Sequence, residues 1–120
     1  MQISKQRLNS TLEKQLFLTL FQLIADLKTP QEVEQVLKDI LSDTELTTVA
    51  KRLAVAYWLT KGRSYTNIKD NIRVSSASIS DVQHALKKPG WKLALQKITA
   101  DEWATQWEQR INKLLKPSGK

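Results

Sequence analysis

Cysteine is absent from the chain, which excludes disulfides, thiolate metal sites and cysteine nucleophiles. Glycine and proline are scarce, three of each in 120 residues, so there is little material for the tight turns of β-hairpins. His84 is the single histidine, and no His, Cys or clustered carboxylates stand at ligand spacing from it. Long apolar runs are missing as well. The most apolar stretch, Leu16–Ile24, is interrupted by Thr19 and Gln22 and followed by Asp26 and Lys28, well short of the ~18–20 apolar residues that span a bilayer. The opening residues are polar and show no secretory leader, so a cytoplasmic protein with no membrane partner is expected. There is no glycine-rich phosphate loop. Asp101 and Glu102 are adjacent, and on a helix they point to different parts of its surface. No paired acid and base is visible, so neither an enzyme nor a bound cofactor is expected.

Acidic residues are outnumbered. Nineteen Lys and Arg against twelve Asp and Glu give a net charge of +7 and an isoelectric point near 9.8. That balance favours a polyanionic partner, nucleic acid first and an anionic membrane surface second.

What the chain has in plenty is apolar residues at helical spacing. After a polar arm at 1–7, Leu8, Leu12, Leu16, Leu20, Leu23, Ile24 and Leu27 predict a helix over about 9–27. Phe17, Leu18 and Phe21 make its second half apolar around much of its circumference, and such a helix needs cover on more than one side. Thr29-Pro30-Gln31-Glu32 is a capping box with proline at the first helical position, opening a helix over about 30–41. Ser42-Asp43-Thr44-Glu45 is another, opening a helix over about 43–61 that Gly62 can end in a left-handed cap. Ser64 can cap a helix of about 65–72. Ser75 or Ser76 can cap one of about 76–88, with Pro89-Gly90 expected to stop it. The pattern resumes at Trp91–Ile98, and Thr99-Ala100-Asp101-Glu102 is placed to open a last helix over about 100–115. The whole reads as a single all-α domain spanning 1–120.

The stretch over 64–88 carries function. Apolar residues at 68, 72, 74, 79 and 82 let a short helix and a second helix cross steeply and share a small core, the helix-turn-helix pattern. Ser75, Ser76, Ala77, Ser78 and Ser80 then stand at the exposed start of the second helix. Small side chains there permit close approach to base edges in a major groove, and free N–H groups favour phosphate. Lys61, Arg63, Lys69, Arg73, Lys87 and Lys88 flank the turn against Asp70 and Asp81, a surplus of cations suited to a phosphate backbone. On this reading Ser76, Ala77, Ser78, Ser80 and Asp81 approach bases, while Tyr65, Thr66, Lys69, Lys87 and Lys88 contact or steer toward phosphate.

The stretch Leu41–Lys87 resembles the tryptophan-repressor family. The matching features are a capped helix with Arg52 in its middle, the ending Leu59-Thr60-Lys61-Gly62, a helix start at Ser64-Tyr65, and the small-residue start Ser75-Ser76-Ala77-Ser78-Ile79-Ser80. By helix order the likeness extends over 9–98. The resemblance implies a helical bundle that folds as an intertwined homodimer, which would cover the apolar first helix, and binds double-stranded DNA to regulate transcription. It also implies an effector pocket beside the second helix of the motif. Arg52 stands where the family holds the ligand carboxylate, and Ser42 where a threonine lines the pocket. Asp81 stands in place of a second pocket arginine. A carboxylate there repels a ligand carboxylate and cannot stack on an indole, so tryptophan is not expected to be the effector.

Three other readings stay open. Arg52 has a plain structural alternative, an ion pair with an acid on a helix face. Asp81 could read a base, cap a local turn, or pair with Lys69 or Arg73. For the chain as a whole, a helical protein- or RNA-interaction module, or a mobile-element or architectural DNA-binding protein, fits much of the same pattern. Trp103 and Trp107, one helical turn apart, suit a core or dimer interface better than a platform for stacked bases.

Overall fold

A computed structural model of the chain describes residues 3–100 and 102–115. Among these there is no strand. The elements are α1 (Ser10–Asp26), α2 (Pro30–Ile40), α3 (Asp43–Thr60), α4 (Tyr65–Ile68), a π-helical turn (Lys69–Arg73), α5 (Ser76–Ala85), α6 (Pro89–Ala100) and α7 (Glu102–Leu114). They fall into two compact units, Met1–Leu46 and Thr47–Lys120.

In the first unit, Asn9 caps α1 by accepting from the backbone N–H groups of Thr11 at 2.9 Å and Leu12 at 3.3 Å. No residue of α1 is buried. Leu12, Leu16, Phe17, Leu20, Phe21 and Ile24 are all exposed, with the Phe17 and Phe21 rings stacked at 6.1 Å. Thr29 caps α2 through the Glu32 N–H, and the Glu32 carboxylate accepts from the Lys28 N–H one residue before the cap. Leu20, Phe21 and Ile24 of α1 line an apolar hollow with Leu37, Ile40 and Leu41. Ser42 and Glu45 bond reciprocally, side chain to backbone in both directions, which is the predicted capping box at the start of α3.

The second unit holds the core. Val55, Ala56, Tyr57 and Trp58 of α3 are buried together with Ile68, Ile79, Val82 and Ile98. Four consecutive buried residues mean that this half of α3 is enclosed all round, as a helix without a polar face must be. Gly62 ends the helix at φ +77°. Its N–H reaches the Leu59 carbonyl and the Arg63 N–H reaches that of Trp58, the paired bonds of a Schellman cap.

Two local expectations are corrected. The helix expected over 65–72 is one α-turn followed by a π-helical turn, so the chain leaves it at Arg73 with φ +63°. Pro89 does not terminate α5, which ends at Ala85; it begins α6. Proline at a first helical position has no N–H to lose and its φ is already set, so it starts a helix as readily as it stops one. The box expected at 99–102 includes Asp101, which lies outside the described residues. Thr99 itself sits inside α6, its hydroxyl donating back to the Leu95 carbonyl at 2.9 Å.

Candidate nucleic-acid interface

The helix-turn-helix is assembled by caps at both of its starts. Ser64 accepts from the Asn67 N–H at 3.1 Å and so begins α4. Ser75 accepts from the Ser78 N–H at 3.0 Å and begins α5; its own hydroxyl donates to that of Ser78. Both caps satisfy N–H groups that a helix start leaves without partners. Between them Val74 is extended and packs on the core.

The register of α5 divides it cleanly. Ile79 and Val82 are buried, whereas Ser76, Ala77, Ser78, Asp81 and His84 are exposed and Ser80 is half-buried. The amino end of this helix therefore presents small, hydroxyl-bearing side chains outward. His84 donates from Nδ1 to the Ser80 carbonyl at 2.8 Å, which occupies that ring nitrogen. Thr66, Lys69, Lys87 and Lys88 are exposed. Tyr65 is half-buried, and its hydroxyl donates to the Gln83 side chain. That contact braces α4 against α5, a part that sequence reasoning did not assign to either residue.

Arg63, counted among the flanking cations, is used inside the fold. Its guanidinium lies over the Trp58 ring at 4.4 Å, donates to the buried Asn67 Oδ1 at 3.1 Å, and donates to Asn112 on α7. Lys61 lies 3.7 Å from the Glu108 carboxylate, which also accepts from the Tyr57 hydroxyl at 3.1 Å. These two cations hold α7 to α3 and α4. Lys69, Lys87 and Lys88, in contrast, have no ion-pair partner among the described residues.

Arg52 and Asp81 line one cavity of about 350 Å³, together with Thr48, Lys51, Arg73 and Ser78. Arg52 has no ion pair among the described residues, and Asp81 has none with Lys69 or Arg73. Ser42, the third residue assigned to an effector pocket, belongs to the first unit, where its hydroxyl caps α3. Lys51 was not singled out from the sequence. Its ammonium donates to the Arg73 carbonyl at 3.1 Å. The signal was its position one helical turn before the core residue Val55, where a charged side chain needs a partner.

No group of His, Asp or Glu side chains among the described residues is arranged to hold a metal ion. None of the described helices is long and apolar enough to cross a membrane.

The Trp repressor protein family matches residues 15–99. The chain belongs to the Trp repressor family. A solved crystal structure of a candidate Trp repressor from Staphylococcus aureus is similar to it, with a TM-score of 0.64 and 27% sequence identity over 84% of this chain and 97% of that one. Among curated proteins no match is found. Trp repressor proteins are generally DNA-binding regulators of transcription rather than enzymes. The family match ends within α6, so α7 and its ties through Glu108 and Asn112 lie beyond it.

Proposed function

We propose that this Trp repressor-family protein is a regulator that binds specific duplex DNA sequences as a homodimer, through α4 and α5, without tryptophan. The observation that carries this reading is the outward-facing start of α5, where Ser76, Ala77 and Ser78 are exposed above buried Ile79. Small side chains there let the helix backbone approach base edges, and hydroxyls at positions 76, 78 and 80 can both donate and accept. Asp81, exposed on the same helix, accepts from the amino group of a cytosine or adenine. Lys69, Lys87 and Lys88 supply charge for phosphate, with Thr66 as a neutral donor. Tyr65 contributes by holding α4 to α5 through Gln83.

Independence from tryptophan rests on Asp81, which lines the cavity that Arg52 also lines. An amino-acid carboxylate drawn toward Arg52 meets a second negative charge there, and the flat guanidinium that would stack on an indole is missing. Dimer formation is supported by the exposed apolar residues of α1, which a lone chain leaves in water.

Gel shift against a random duplex pool at two salt concentrations, followed by selection of the bound sequences, tests the reading. Duplex binding that weakens steeply with salt and enriches one sequence is the expected result. Binding of RNA alone, or of neither nucleic acid, would overturn it. Calorimetry is expected to show no micromolar binding of tryptophan, and adding the amino acid is expected to leave the gel shift unchanged.

A further inference from the structure

The turn that precedes the DNA-reading helix is held from outside the motif. Arg73 closes the π-helical turn at φ +63°, and Val74 continues in extended conformation at φ −128°. A carbonyl at the end of a helical segment has no following N–H to accept from, and the local dipole favours a cation there. Lys51 supplies one. It stands half-buried on α3, one turn before the buried Val55, and its Nζ lies 3.1 Å from the Arg73 carbonyl oxygen. Among the described residues Lys51 has no carboxylate within ion-pair distance. Two residues beyond the held carbonyl, Ser75 caps α5. The tie thus joins the core-forming helix α3 to the turn that ends two residues before the cap of α5.

We propose that Lys51 is a positioning residue for DNA binding: its bond to the Arg73 carbonyl sets, from within the chain, the angle at which α5 leaves the turn. This rests on the reading of α5 as the DNA-reading helix. It gives that reading a device by which the helix is aimed without an effector. Arg73 acts here through its backbone, so the tie does not depend on which side chain position 73 bears. Lys51 acts by holding the turn and does not itself grip phosphate.

The test uses the full chain and its selected duplex. Lys51→Met keeps the apolar stem and removes the ammonium, and Lys51→Arg keeps a donor able to reach a carbonyl. In the free protein, the amides of Ser78 and Ile79, which donate to Ser75 across the start of α5, should exchange with solvent about tenfold faster in Lys51→Met, because the charge-assisted bond is gone. Those of Val55–Trp58 should be unchanged, and Lys51→Arg should restore the wild-type rates. Duplex affinity of Lys51→Met should fall about tenfold with its salt slope intact, since a lost phosphate contact lowers that slope by about one. Should Lys51→Met prove too unstable to study, Lys51→Gln, whose side chain is too short for the carbonyl, is read in the same way. Unchanged exchange at Ser78 and Ile79 in a protein that binds duplex DNA overturns the tie. A salt slope reduced by about one unit overturns it too, by making Lys51 a phosphate contact. If the wild type binds no duplex at all, the DNA reading fails first and the positioning role fails with it. The failures are distinct.

Discussion

Two side chains of the second unit have opposite relations to solvent, and each makes a separate prediction. Lys69 is exposed with no ion-pair partner among the described residues, so its charge is available to any nearby phosphate. Lys69→Ala is expected to weaken binding to all duplex sequences alike and to flatten the salt slope by about one unit. Titrating the variant against the selected and a scrambled duplex across a salt series checks this; an altered sequence preference with the slope unchanged would place Lys69 at a base. Tyr57 is the reverse case, a buried ring whose hydroxyl donates to Glu108. Burial, and after it the bond to Glu108, raise its pKa above the ordinary 10.0. The folded state therefore prefers the neutral phenol. The stability this contributes is fully present below the unfolded pKa, near 10, and is lost as pH rises through the higher folded value. Near neutral pH, Tyr57→Phe should lower the unfolding free energy by about 0.5–1.5 kcal/mol, the net worth of one hydrogen bond. Above pH 10 the gap between wild type and variant should shrink. Urea unfolding of both proteins at the two pH values measures it, and a constant gap would show that the phenol does not titrate against the fold.

Among the elements, the π-helical turn is the least ordinary. It delivers the chain to Arg73 in the left-handed region, where a non-glycine residue costs about 1–2 kcal/mol. Glycine removes that strain but gives back part of it in unfolded-chain entropy. Arg73→Gly is accordingly expected to be neutral or stabilising by up to about 1 kcal/mol, and Arg73→Val to destabilise by about 1–3 kcal/mol because a β-branched side chain tolerates positive φ worst. Thermal unfolding of the two variants decides it, and a stabilising valine would contradict the assigned backbone. This element was not legible in the sequence. Ile68 and Ile72 are four apart and read as one α-helical stripe, and the extra residue of a π-turn leaves that spacing intact. Caps were the most legible features, because Ser42, Ser64 and Ser75 each act over three residues of local chain and need no tertiary partner. The outward start of α5 followed from them. Pro89 was read as a stop because the same residue type serves both ends of a helix, and only the turn at 86–88 assigns it to the start of α6. Long-range choices were out of reach for the same reason: nothing local to Arg63 tells that it stacks on Trp58 and satisfies Asn67 rather than facing phosphate.

For the whole molecule, the deciding quantity is apolar surface left in water. The core lies in the second unit, while α1 contributes no buried residue and leaves Leu16 at 52%, Phe17 at 51% and Phe21 at 60% exposure. Burying a side chain of this kind fully is worth about 1.5–3 kcal/mol, so half-exposed Leu and Phe residues repeated along one helix amount to a large unfavourable contact with water. A +7 chain resists non-specific association through its own charge, which favours a specific, closed contact over aggregation. A two-fold pairing that covers α1 would remove that apolar surface, and a dimer carries two copies of α5, one for each of two half-sites. Light scattering is expected to give twice the chain mass of 13.8 kDa at micromolar concentration. Phe17→Glu with Phe21→Glu should halve that mass and should reduce affinity for a two-half-site duplex far more than for a single half-site, because only the dimer links the two binding events. A wild-type chain that remains monomeric while it shifts duplex DNA would show that α1 is covered in some other way, and that each α5 reads its half-site alone.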